Sequence, residues 1–361
     1  MYTIKLFTKG FTDLTALNKV NFWDFSYENE IGKGGKAEFK IKVKDNKATT
    51  ANLKLFNRVK IYKGSTFKWI GYIERLDIDL NVITVKCSGM LNIFKKRNTA
   101  YGTTPGATLT TEFFRVLNTL NGADDTGIKE GTSDSVHVIA GQMKLLDIKS
   151  LSALKKIADT DNRLMYIDEN EFLNIVKSLG TDKSSSVIFR YIIDQVNTAN
   201  IKMFDITVDG GDMWNVVTGK AESLGTVKTD PTSITEFGRL ETRENFGGTT
   251  NANDLDDETQ SFLDTHKNEM IIPDISPNSK KIDIDSFDIG DTVKVILDNN
   301  FIALNQNQLI IKKKVTITNS GEEDVSVSLA PEGSSILPSN FFNEIDKLKK
   351  NQESIEGVLF Q

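Results

Sequence analysis

Side chains able to do chemistry near neutral pH are scarce in this sequence. There are two histidines, His137 and His266, and neither stands in an H-E-x-x-H or comparable metal-ligand spacing. No G-x-S-x-G turn offers an activated serine. Cys87, the one cysteine, alternates with Ile83 and Val85 on the apolar side of a strand pattern, which predicts a core thiol rather than a nucleophile. The segment "IGKGGKAEF" is glycine-rich, but it lacks the Walker spacing with its closing Ser or Thr. It also leads into a strand pattern rather than a helix, so it predicts a strand connection and no phosphate cradle.

Acidic groups are plentiful, with fifty Asp and Glu. "DIDSFDIGD" brings Asp283, Asp285, Asp288 and Asp291 close together, without the ligand order and closing Glu of a calcium-binding EF-hand. "DTDN", Asp159 to Asn162, follows a helical pattern and predicts a turn. A glycosidase needs only two carboxylates at a set separation, and no pair is singled out. Lys40, Lys42 and Lys44 share one strand face. They predict a solvated outer face that discourages edge-to-edge aggregation, in preference to a basic rail for an anionic partner. No catalytic, cofactor-binding or metal-ligating residue is expected.

Composition sets the remaining bounds. The 361 residues can form two to three domains, each with its own core. A hydrophobic content of 39% with 26% charged residues is that of a folded, water-exposed protein. Forty-four basic against fifty acidic residues give a net charge of −6, which argues against tightly held nucleic acid but not against DNA passing a surface. A single cysteine rules out an intrachain disulfide framework and fits assembly in a reducing cytoplasm. No signal peptide and no run long and apolar enough for a membrane span are evident.

The elements that must carry any function fall in four blocks. Residues 1–101 alternate with period two at Tyr2, Ile4 and Leu6, at Phe39, Ile41 and Val43, and at Val59 and Ile61, predicting strands buried on one face. Over 102–205 the period changes. Leu109, Phe113, Val116, Leu117 and Leu120 line a helix with Gly122 placed to end it, and Leu151, Leu154, Ile157 and Ala158 line a second. "RLMYIDENEFLNIVK" then predicts a hairpin. Over 206–335 strand character returns, with long loops or an insertion expected from Thr226 to Asn253 and a helix at about 254–268. In 336–361, Phe341, Ile345, Leu348, Gln352, Ile355 and Leu359 form a short heptad stripe. So short a helix is marginal alone and is expected to find a partner.

The first and third blocks share a build. "NRVKI" (Asn57 to Ile61) and "DTVKV" (Asp291 to Val295) each open a strand-turn-strand-turn-strand series. Val293–Leu297, Leu309–Thr318 and Val325–Leu329 match Val59–Tyr62, Phe67–Asp77 and Val82–Cys87. The expected fold class is therefore α+β, predominantly β: two related small β-barrel or sandwich modules flanking an α+β middle domain, with a short C-terminal helix. A doubled module suits a ring, because three chains present six near-equivalent units and closure removes exposed sheet edges.

Three passages resemble the bacteriophage tail hub family, the baseplate-hub or tail-tip proteins related to the N-terminal part of tail-associated lysins. They are "SLSALKKIADTDNRLMYIDENEFLNIVK", "GGDMWNVVTGKAES" and "FDIGDTVKVIL" followed by "DVSVSLAPEG". The resemblance implies a homotrimer with pseudo-sixfold tube modules, joining tail tube to tip around the DNA channel. It further implies a virion protein of the tail tip or baseplate, assembled in the host cytoplasm and taking part in DNA ejection and host cell entry. Implied partners are a distal tail or tail tube protein, the tape measure protein, a tip spike or receptor-binding protein, and DNA only in passage. No stable membrane anchoring and no cofactor are implied. Longer relatives carry hydrolase or fibre domains where this chain has its short helix, so no lytic activity is expected. The alternatives are a distal tail protein carrying receptor-binding proteins and a tail-associated cell-wall hydrolase.

Overall fold

The computed structural model describes residues 1–99, 102–139, 143, 145–161, 163–221, 224–246, 251–318 and 321–331. The architecture is α+β and predominantly β, with open rather than closed sheets among these residues. Two compact units are present, one built from Met1–Phe204 with Asp274–Leu329, the other centred on Asp205–Pro273.

The first unit opens with seven strands: β1 (Tyr2–Phe7), β2 (Asp13–Leu17), β3 (Phe22–Glu30), β4 (Lys33–Lys42), β5 (Arg58–Lys63), β6 (Thr66–Ile78) and β7 (Val82–Gly89). β1, β4, β5 and β7 carry apolar residues in alternation, and one face of the resulting sheet buries Ile4, Phe25, Tyr27, Phe39, Ile61, Val85 and Cys87. β1 pairs antiparallel with both β2 and β5, β5 with β6, β6 with β7, β7 with β4, and β4 with β3. Two backbone approaches hold the β3–β4 corner. A Cβ on Gly35 (φ 63°) would lie 1.9 Å from the Glu28 carbonyl oxygen, and one on Gly89 would lie 1.1 Å from that of Gly34. No larger residue fits either position without moving backbone.

The α+β segment follows, with α1 (Leu109–Ala123), β8 (Lys129–Ser133), α2 (Ser150–Asp159), β9 (Leu164–Ile167) and β10 (Phe172–Val176). Thr108 caps α1 by accepting a hydrogen bond from the Thr111 amide. The helix runs past Gly122 and ends at Ala123, because the exit is fixed elsewhere: Asn121 donates to the Ile128 carbonyl at 2.8 Å and accepts from Thr126. The expected β9–β10 hairpin forms around Asp168, whose carboxylate accepts from the amides of Asn170 and Phe172. Leu109, Phe113, Leu117, Leu151, Leu154 and Ile157 all lie in one core with Tyr72, Met90, Phe94, Leu173 and Ile175. Each such side chain gains roughly 1.5–3 kcal/mol by leaving water.

The chain then adds β11 (Ile188–Ile192) and β12 (Ile201–Asp209). The second unit contains β13 (Val216–Ala221), β14 (Leu224–Thr229), α3 (Pro231–Phe237), β15 (Glu241–Asn245) and α4 (Ala252–His266). The stretch expected to hold long loops thus contains strands and a helix. β15 reads Glu-Thr-Arg-Glu-Asn, with no apolar period to announce it, and exists because it lies parallel to β13. Asn215 is fully buried, donates to the Gly238 carbonyl and accepts from the Leu240 amide, tying the entry of β13 to the α3–β15 turn.

The last strands are β16 (Met270–Pro277), β17 (Thr292–Asp298), β18 (Ala303–Ile317) and β19 (Glu323–Pro331). They do not form a sheet of their own. β18 pairs with β3, Tyr27 opposite Val315 and Phe25 opposite Ile317, so one thirteen-stranded sheet runs β12-β16-β19-β18-β3-β4-β7-β6-β5-β1-β2. β17 joins at β18 and carries β11 beside it in parallel.

Candidate assembly surfaces

The residues first examined for chemistry are all placed in structural roles. Cys87 is 4% exposed, and burial pushes its thiol well above the ordinary range. The glycine segment forms the β3–β4 hairpin. Asp161, in the turn after α2, accepts hydrogen bonds from Ser135 and Arg163. His266 stacks on Phe262, with ring centroids 4.0 Å apart, at the end of α4. Lys40 pairs with Asp24 at 2.9 Å, while Lys42 and Lys44 stay exposed, which is the solvated face expected. Phe341, Ile345, Leu348, Gln352, Ile355 and Leu359 lie outside the described residues.

The acidic run becomes an ionic junction instead of a metal loop. Asp285 receives Lys63 of β5 at 2.5 Å and Lys68 of β6 at 2.8 Å, and Lys63 also reaches Glu323 of β19 at 2.8 Å. Burial works against ionisation of Asp285. The hydrogen bonds from Lys63 and Lys68 outweigh it and hold the carboxyl at about 2. Asp291 is buried and accepts from the amides of Thr181 and Asp288 while pairing with Lys183 at 2.8 Å. Among the described residues no cluster of His, Cys, Asp and Glu could hold a metal ion.

Several buried cations escaped the sequence reading. Lys313 of β18 is 4% exposed and donates to the carbonyls of Ile284 and Phe287 while lying over the Phe287 ring; burial lowers its pKa. Arg58 is 1% exposed, donates to the carbonyls of Lys9 and Thr126, and is lowered by burial to about 10. Lys60 reaches Glu171 and the Glu169 carbonyl, tying β5 to the β9–β10 hairpin. Lys312 forms a 3.0 Å pair with Glu28 across the β18–β3 seam. The run Lys312-Lys313-Lys314 was the available signal, but a strand pattern cannot tell a buried lysine stem from a solvated one.

These surfaces are fitted to hold strands together rather than to process a small molecule. A pocket of about 240 Å³ lies in the first unit and is lined by the β3–β4 turn, Trp69, Met90, Met165 and Ile289. Its lining includes the Glu30–Lys33 ion pair of the β3–β4 turn, at 3.0 Å. The arrangement is the fold of prophage tail proteins. A 43 kDa prophage tail protein from Shewanella oneidensis superposes with a TM-score of 0.65 at 15% identity, covering 93% of this chain and 99% of that one. A tail protein from Neisseria meningitidis gives 0.66 at 14%, covering 94% and 98%, and a prophage tail protein from Listeria monocytogenes gives 0.63 at 13%, covering 96% and 99%. An Escherichia coli component of the type VI secretion system, described as structurally similar to the phage T4 tail proteins gp27 and gp5, gives 0.52 at 7% identity, covering 87% and 74%. No family model and no curated protein matches the chain.

Proposed function

We propose that this chain is a non-enzymatic hub of a phage or phage-like tail tip. Three copies form a ring whose doubled β-modules present pseudo-sixfold symmetry to the tail tube and threefold symmetry to the tip, around the channel for DNA. The observation that carries this reading is the end-to-end match to prophage tail proteins, over more than nine-tenths of each chain in the three comparisons above. The twice-built strand series, β5–β6–β7 and β17–β18–β19, supports it, because a repeated unit is what a threefold ring needs to meet a sixfold partner. The likeness of the type VI secretion component to tail proteins supports a place in a tail-like assembly.

In this reading the heptad residues Phe341, Ile345, Leu348, Gln352, Ile355 and Leu359 pack around the threefold axis or on a tip partner, with Gln352 fixing register. The test is electron microscopy of assembled particles together with mass measurement of the protein extracted from them. A threefold ring of this chain at the tail tip is expected; a single copy per finished particle would overturn the reading. Replacing Ile345 and Leu348 together with Asp is expected to lower the yield of assembled tips.

A further inference from the structure

The order β5-β6-β7-β4-β3 in the first strand series has a counterpart in β17-β18-β19-β16-β12. In both, the second strand is long and is paired by the first strand over its early part, Thr66–Tyr72 in β6 and Ala303–Leu309 in β18. Matching Val59 to Val293 makes their partners Gly71 and Gln308 equivalent. Seven residues further on in each strand, Ile78 then corresponds to Val315. Each strand also changes its burial midway. In β18 burial passes from Leu304, Gln308 and Ile310 to Ile311, Lys313 and Val315; β6 shifts register between Ile73 and Arg75, and beyond the shift none of its residues is buried.

The two copies differ in what covers the later part. In β18, Lys312–Ile317 is paired by β3, the outer strand of the other series, and Val315 is 1% exposed against Tyr27. In β6, residues 74–78 have β7 on one edge and, among the described residues, no strand on the other. Ile78 is 69% exposed and the following Leu80 is 90% exposed. The strand equivalent to β3 is β12, which ends the sheet order; among the described residues it too has no strand along one edge, and it exposes Met203 and Val208. An unpaired strand edge bearing exposed apolar side chains is a template for another strand.

We propose that the free edge of β6 in one copy takes β12 of a second copy, repeating between chains the β18–β3 seam found within each chain. This rests on the reading that copies of the chain assemble with one another, and it names the surfaces that meet. The contact is heterologous, β6 of one chain against β12 of the next, so successive copies form a ring when the rotation between them closes.

The test uses single cysteines in the full chain, since native Cys87 is buried and silent. One set carries Arg75→Cys, Asp77→Cys or Ile78→Cys, the other Met203→Cys, Asp205→Cys or Thr207→Cys. Each set is oxidised alone and in all pairwise mixtures. Cross-linked dimer in at least one mixture, and in neither of its members alone, is the expected result. Dimer in single variants only, or in none of the mixtures, overturns the seam. A chain carrying both cysteines of the productive pair then separates the two proposals. Closed cross-linked trimers support the seam and the ring together, whereas another closed number keeps the seam and refutes the threefold hub. A trimer by mass that never cross-links refutes the seam and keeps the hub. Ile78→Asp gives an independent reading, with oligomer lost and thermal unfolding unchanged.

Discussion

At the scale of the residue, the informative groups are charged side chains that the fold has taken out of water. Asp285 shows the sign of the effect. Its carboxyl titrates at about 2 in the folded chain against an ordinary 3.8, because the hydrogen bonds from Lys63 and Lys68 outweigh the cost of burial. A depressed folded value means the stabilisation is fully present above the unfolded pKa and is lost as pH falls through the folded one. Asp285→Asn is therefore expected to lower stability by about 1 kcal/mol near neutral pH, after allowance for screening of a partly exposed pair. Urea denaturation of both proteins checks this: their midpoints should differ above about pH 4 and converge toward about pH 2. The clustering of Asp283, Asp285, Asp288 and Asp291 was legible in the sequence. Their partners were not, because Lys63 and Lys68 are more than two hundred positions away and nothing local records that pairing.

At the scale of the element, period and packing agree best in the middle of the chain. α1 and α2 form where the apolar spacing places them, and both press that face into one core. Leu117, fully buried there, is expected to cost about 2–5 kcal/mol when cut to Ala, read as a lowered urea midpoint at constant slope. Ile78→Ala, at an exposed strand end, should change the stability of the isolated chain by no more than about 0.5 kcal/mol. The contrast separates a side chain that holds the fold from one proposed to meet another chain. Between Thr226 and Asn253 the sequence was a poor guide, since β14 and β15 draw on pairing with β13 more than on an apolar face of their own.

At the scale of the whole molecule, net charge and surface chemistry bear on what the protein handles. A charge of −6 gives DNA little to hold. The described residues bring no metal-binding cluster together. Cell-wall zymograms with the full chain are expected to show no clearing. A clear band that survives purification, and disappears on replacing one particular carboxylate pair, would instead favour the hydrolase alternative.

The sequence by itself determined what is local and repetitive. It set the strand alternation of β1 and β4–β7, the two helices of the middle segment, the Asp168 hairpin, and the kinship of the series opening at Val59 and Val293. Those signals survive in one dimension because a strand or helix repeats its buried face every two or three to four residues. Only the tertiary structure decided that the two series join into one sheet, since the β3–β18 seam pairs Tyr27 with Val315 across most of the chain length. It alone showed that Val315 is covered while its counterpart Ile78 is not. Hydrogen bonding between distant strands depends on register and edge exposure, and neither is written in the spacing of side chains along one strand.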